Sequence, residues 1–211
     1  MDSPTNPRES TNMRTLATTL AAFTVGFSAA AIADNDRDDG DRFAARLSGY
    51  NEVHFIAAPT PALRGAVSTQ ARGSFRAVID DRADTIHYEL SFEGLEADVT
   101  QAHIHFGQRH TVGAIVVWLC QTTGTPAPAA VANLTPMCGG PRASTVTGTI
   151  VPAQVLTATG QGIDAGEFEE VVRAIRAGAA YANVHSTLFP PGEIRGPIEE
   201  GDHGRHRGHD R

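Results

Sequence analysis

The strongest constraint on this chain is a period of two. In 101–107 (QAHIHFG), residues two apart on an extended strand share a face, so His103 and His105 project together while Ala102, Ile104 and Phe106 project the other way. In 181–186 (YANVHS) the same rule pairs Asn183 with His185 and sets Ala182 and Val184 opposite. Two half-buried strands are expected, each carrying histidine on its polar face.

The same alternation recurs along the chain. Ala45, Leu47 and Gly49 alternate with polar residues, and 51–64 carries two prolines and reads as a loop. Residues 73–79 place Phe75, Ala77 and Ile79 on one face, and 85–92 place Ile86, Tyr88, Leu90 and Phe92 on one face. The polar run 80–84 between them makes an antiparallel hairpin with a five-residue loop, and leaves His87 on the solvent side. The continuously apolar 114–119 (AIVVWL) predicts a central strand covered on both sides, and at 144–151 (STVTGTIV) the chain returns to β-rich residues. One helix is expected, over 165–177, with Asp164 as its cap, Glu167 as the reciprocal partner, Arg173 and Arg176 in its last turn and Gly178 as its stop. A last strand follows Pro190-Pro191-Gly192, over 193–198.

Charge and cysteine usage exclude several function classes. All 17 basic residues are arginine, against 24 acidic ones, so the net charge is −7 and no basic stripe offers itself to nucleic acid. Lysine chemistry is excluded because the chain has none. Arg14 precedes the uncharged run 15–33, and Ala31-Ile32-Ala33 offers small residues for a peptidase, so 1–33 read as a signal peptide. Translation from Met13 instead of Met1 would make that signal a conventional one. The run is too short and too interrupted for a membrane span, so no span is expected once it is cleaved, and the protein is expected to be secreted or periplasmic. In an oxidising compartment Cys120 and Cys138, the only two cysteines, are expected to form a disulfide closing the irregular loop 121–142.

The charged, nearly apolar-free segment 34–43 reads as a disordered linker, and its aspartates lack the glycine and glutamate spacing of a calcium-binding EF-hand loop. The tail 200–211, with His203, His206 and His209, reads as a disordered, solubilising end. Between them 44–199 forms one domain, large enough for a single core.

The order of these pieces resembles the chordin-type (CHRD) domain. The matching elements are LSGYNEV (47–53), AHIHFG (102–107), AIVVWL (114–119), the capped helix ending in AIRAGAAYANVHS (174–186), and FPPGEIRGPI (189–198). The resemblance implies an all-β fold, an antiparallel immunoglobulin-like or superoxide-dismutase-like sandwich with one short helix near its C-terminal end. It also implies an extracytoplasmic binding or structural module with an unidentified ligand or protein partner. It implies no settled reaction.

Two chemistries compete for the histidines. The pair His103 and His105, joined by His185 from a neighbouring strand, would form a three-nitrogen site with an open position, which zinc or copper accepts and which could be redox-active. The strand also resembles the copper-binding HVH strand of copper/zinc superoxide dismutases, but no histidine/aspartate zinc loop follows it and His110 alone does not replace one. Alternatively the three histidines join Asn183, Glu193 and Arg195 in a hydrogen-bond network that locks the strands without metal. A hydrolase triad is disfavoured, because Ser186 faces away from its neighbour His185. The sequence specifies neither a substrate nor an oligomeric state.

Overall fold

A computed structural model describes residues 41–56 and 63–201 of the chain. The expected signal peptide, most of the acidic linker and the tail beyond 201 lie outside the described residues. Among the described residues the elements run β1 (Asp41–Ser48), β2 (His54–Ile56), β3 (Leu63–Gly65), β4 (Arg72–Asp80), β5 (Thr85–Glu93), β6 (Val99–Phe106), β7 (Ala114–Cys120) and β8 (Ser144–Ile150). They continue with α1 (Phe168–Arg176), β9 (Ala180–Ser186), β10 (Ile194–Pro197) and β11 (Glu199–Glu200). The strand order is β7-β6-β9-β10-β1-β4-β5-β8, with β11 added beside β1, and every pairing is antiparallel.

The sheet folds over onto itself as a nearly closed sandwich. Phe75 and Leu90 from one half and Ile104, Leu119 and Ile194 from the other sit in a single buried cluster. Tyr88 on β5 reaches across to donate a hydrogen bond to the Leu119 carbonyl on β7 at 2.6 Å. The expected all-β architecture with one helix near the C-terminal end is therefore the one observed. No helix among the described residues is long and apolar enough to cross a membrane.

Alternation set the strands, and local chemistry set their ends. The β4–β5 hairpin forms in the expected register, but Asp80 pairs with Thr85, which shortens the loop to residues 81–84. Asp80 stays in the strand because its carboxylate accepts the Arg82 and Ala83 amides and closes the turn. β1 takes in residues 41–43, which the charge pattern assigns to the linker, because Phe43 is buried and Asp41 pairs with Ile79. The helix begins at Phe168, three residues later than expected, because Gly166 has a positive φ of 87°. Half of the anticipated cap survives, with the Asp164 amide donating to Glu167 at 2.8 Å. Phe168, Val171, Val172 and Ile175 bury into the core, each worth roughly 1.5–3 kcal/mol. Residues 51–64 are not all loop, since β2 and β3 pair as a small separate ribbon.

Strand β7 departs from the expectation of a central strand. It ends the strand order. Its apolar run is explained by cover on both faces: Val117 and Leu119 enter the main core, while Trp118 packs with Ala127, Val131 and Leu156. The Leu156 amide also donates to the Val116 carbonyl at 2.9 Å, capping part of the strand's outer edge. Cys120 and Cys138 form the expected disulfide. The loop it closes is organised by buried Gln121, which donates to the carbonyls of Ala132 and Thr135 and accepts from Ala127.

Candidate metal centre

Three adjacent strands build the site. In β6 and β9, His103 stands opposite Asn183, His105 opposite Tyr181 and Gln101 opposite His185; in β9 and β10, Asn183 stands opposite Arg195. The core-facing residues between them, Ala102, Ile104, Ala182, Val184 and Ile194, are completely buried. By parity His103, His105, Tyr181, Asn183, His185 and Arg195 therefore share the sheet's other face. That face is not the half-solvated one the alternation predicts: His103, His185 and His105 are only 0%, 5% and 8% exposed.

Three loops roof them over, and each is pinned by a hydrogen bond to a side chain on this face. In residues 107–113 the Gly113 carbonyl accepts from His105 Nδ1 at 2.9 Å. In residues 187–192 the Pro190 carbonyl accepts from His185 Nδ1 at 2.8 Å. In residues 49–53 Glu52 accepts from Asn183 Nδ2. Glycine permits two of these close approaches. A Cβ on Gly113 would overlap the Phe106 carbonyl, and one on Gly192, whose φ is 135°, would press on Asn183 and Glu52.

The hydrogen bonds fix the imidazole tautomers. A carbonyl only accepts, so Nδ1 carries the proton in His105 and His185 and leaves Nε2 with a bare lone pair. His103 Nδ1 lies 3.1 Å from His185 Nε2 and must therefore be the donor, which leaves His103 Nε2 bare as well. Neither His103 Nε2 nor His105 Nε2 has a protein partner among the described residues. Burial pushes the basicity of all three rings down from the ordinary 6.5: His105 and His185 fall to about 4, and His103, which also faces the other two, is held well below its ordinary value. The Gly113 and Pro190 carbonyls oppose the shift without reversing it. At neutral pH the three rings are uncharged, which is the ligating form.

Their candidate ligand atoms all lie within 4.8 Å of one another. Two nitrogens sharing a tetrahedral ion at about 2.0–2.1 Å stand roughly 3.3 Å apart. The His103–His185 pair is already near that spacing, so an ion between them would replace the shared proton.

Aromatic rings and one cation pack around the triad. Trp118 meets His103 edge-on at 4.4 Å between centroids, and Tyr181 stacks on His105 at 4.8 Å with only 5° between the planes. The Tyr181 hydroxyl accepts the Gly113 amide at 3.2 Å. The Arg195 guanidinium lies 4.0 Å over the Tyr181 ring and donates to the carbonyls of Thr111 and Arg109, clamping the roof loop. Asn183 Oδ1 has no protein partner among the described residues. Burial raises the Glu52 carboxyl to about 7, against the lowering effects of Arg195, the Val53 amide and Asn183.

The residues singled out in sequence divide accordingly. His103, His105 and His185 come together, and Asn183 and Arg195 stand beside them, yet neither of those two hydrogen-bonds an imidazole. Glu193 is fully buried but turns to the Thr69 hydroxyl and the Glu96 amide, both at 2.9 Å, and ties those segments to the start of β10. Ser186 accepts the Phe189 amide at 3.3 Å rather than hydrogen-bonding His185. Glu52, Trp118 and Tyr181 were not singled out. Tyr181 has the parity of Asn183 and His185, a signal present in the sequence, whereas Glu52 reaches the site through a loop that no periodicity describes.

Among known families, the CHRD domain matches residues 43–198. No curated protein matches the chain. No solved structure matches it either.

Proposed function

The chain belongs to the CHRD-domain family, and from that premise we propose that it works outside the cytoplasm, secreted or periplasmic, as a binding or structural module whose buried centre of His103, His105 and His185 holds copper or zinc. The observation that carries the metal reading is a pair of buried imidazole nitrogens without protein partners among the described residues, in a three-histidine cluster whose candidate ligand atoms lie within 4.8 Å of one another. A self-sufficient hydrogen-bond network would satisfy its own nitrogens, and an unsatisfied buried polar group costs about 1–3 kcal/mol. Here His103 Nε2 and His105 Nε2 have no protein partner among the described residues, while the Nδ1 atoms of His105 and His185 are held by backbone carbonyls. That division of labour, one nitrogen oriented and the other presented, is how proteins prepare histidine for a metal.

The roof supports the binding role. Each covering loop exposes one large apolar side chain: Tyr50 at 70%, Val112 at 49% and Leu188 at 56%. Such residues, set around a closed polar centre, offer contact area to a partner while the ion holds the loops beneath them in place. The centre itself is too enclosed for a bulky substrate, so the ion's role is to fix the strands and loops.

The test is elemental analysis of protein made without a polyhistidine tag, both full length and ending near Gly201, because the native tail carries three further histidines. About one copper or zinc per chain should remain after dialysis, and should be lost on His103→Ala/His105→Ala replacement. Retention by that variant, or a metal-free protein after exposure to both ions, would leave a module without a metal centre.

A further inference from the structure

We infer that the centre selects monovalent copper over zinc and over cupric copper; this rests on the reading that the three histidines hold a metal. The argument is one of charge. Among the described residues the cluster that could hold an ion consists of histidines alone, all buried and all neutral as ligands. No carboxylate or thiolate completes it, and both cysteines are committed to the disulfide.

The surroundings do not make up the deficit. β6 supplies the uncharged Gln101, β7 supplies Trp118, and β9 supplies Tyr181 and Asn183. β10 supplies a cation, Arg195, and the roof loops supply the Gly113 and Pro190 carbonyls. The carboxylate tied to this shell is Glu52, which reaches it only through Asn183. Even when ionised, Glu52 at most cancels Arg195. An ion bound here therefore keeps its full charge.

The cost of keeping that charge out of water grows with its square, so a dication is penalised roughly four times as heavily as a monocation in the same enclosure. Zinc and cupric copper usually recover this by bringing an anion such as hydroxide into an open position, or by drawing on ligand histidines made more basic by carboxylates. Here Trp118 and Tyr181 crowd two of the imidazoles, and the partners that orient His105 and His185 are neutral carbonyls. Three imidazoles suffice for cuprous copper without a further anion. Intrinsic affinity favours cupric copper among the divalent ions, so any preference for the cuprous ion must come from the enclosure.

The experiment uses the metal-free full chain under anaerobic conditions, titrated with cuprous ion against a chromophoric cuprous chelator, and separately with zinc and cupric ions against their own competitors. The cuprous dissociation constant should be at least about a hundredfold below that for zinc. Gln101→Glu adds a carboxylate opposite His185 at a partly exposed position and should narrow the gap by about tenfold or more, since one extra charge acts more strongly on a dication. Arg195→Met should narrow it in the same direction, whereas Arg195→Lys should not. Zinc or cupric binding as tight as cuprous binding would overturn the selectivity while leaving the metal centre standing. Binding of none of the three would remove the metal centre as well. A preference unmoved by Gln101→Glu would overturn the charge mechanism even if Arg195 variants failed to fold.

Discussion

Acid should loosen this fold well before its surface carboxylates are protonated, and Glu52 should partly mask the effect. His105 and His185 have folded values of about 4 against an ordinary 6.5. Above pH 6.5 both are neutral folded or unfolded, and their contribution is intact. Below it the unfolded chain takes up protons that the fold refuses, so stability falls with pH until about pH 4. The difference between about 4 and 6.5, at about 1.4 kcal/mol for each tenfold change in proton affinity, gives roughly 3 kcal/mol for each ring. Glu52 has the opposite sign, because its folded value of about 7 lies above its ordinary 4.5. Between those limits the folded carboxyl keeps a proton that the unfolded chain releases, so falling pH returns roughly 3 kcal/mol. From His105, His185 and Glu52 together the metal-free protein should therefore lose roughly 2–3 kcal/mol between pH 7 and 4.5, against a typical total of about 5–15 kcal/mol. Buried His103 adds to that loss in the same direction, and the contribution of His105 and His185 levels off below about pH 4. Glu52→Gln fixes that side chain neutral. The variant should match the parent near pH 4.5, exceed it by up to about 3 kcal/mol at pH 8, and show a steeper pH dependence between. Guanidinium unfolding across this range, with a chelator present and Trp118 as the single tryptophan reporter, measures both curves. Identical pH dependence in parent and variant, or a flat profile from pH 7 to 4.5, would refute the assignment of these groups as buried and neutral.

Three further outcomes are expected. Replacing Cys120 and Cys138 with serine should lower stability by about 3 kcal/mol in denaturant titration, since the bridge closes a loop with a sequence separation of 18. Tyr88→Phe leaves the buried Leu119 carbonyl without its donor and should cost about 1–3 kcal/mol; a loss below about 0.5 kcal/mol would mean that this contact does not help join the two halves of the sheet. Gly113→Ala should disturb the loop that holds His105 and Arg195, so metal retention should fall even in preparations whose circular dichroism remains that of the parent.

Most of the fold was legible because its strands obey one rule throughout. The β4–β5 hairpin and β6 follow from alternation and β8 from its β-rich residues, and bounds shift where local chemistry decides an end, as Asp80 does in the hairpin turn and the positive φ of Gly166 does at the start of the helix. Strand position was less legible. A continuous apolar run says that both faces of β7 are covered, but Trp118, Ala127 and Leu156 provide that cover at the end of the strand order as effectively as neighbouring strands would at its centre. The small β2–β3 ribbon lies in a stretch whose prolines signal a loop, and three-residue strands are too short for alternation to show.

The site was legible in its ligands and illegible in its enclosure, for a physical reason. Parity assigns residues to a face but says nothing of what lies above that face, so a polar row next to a core reads as solvent-facing. Here three separate loops close over the row, each pinned through a backbone or side-chain acceptor: Gly113, Pro190 and Glu52. The closure changes the chemistry of unchanged residues. On an open sheet His103, His105 and His185 would titrate near 6.5 and hydrogen-bond to water; beneath the loops they stay neutral and two of their nitrogens are left without protein partners among the described residues. Because two of the roof loops are held by imidazoles they cover and the third by Asn183 beside them, loop order and ligand orientation are coupled, and an ion that fixes the rings must also stiffen the loops carrying Tyr50, Val112 and Leu188. Amide exchange in residues 49–53, 107–113 and 187–192 should therefore slow together when metal is added, and a response confined to β6 and β9 would show that the roof closes without reference to the centre.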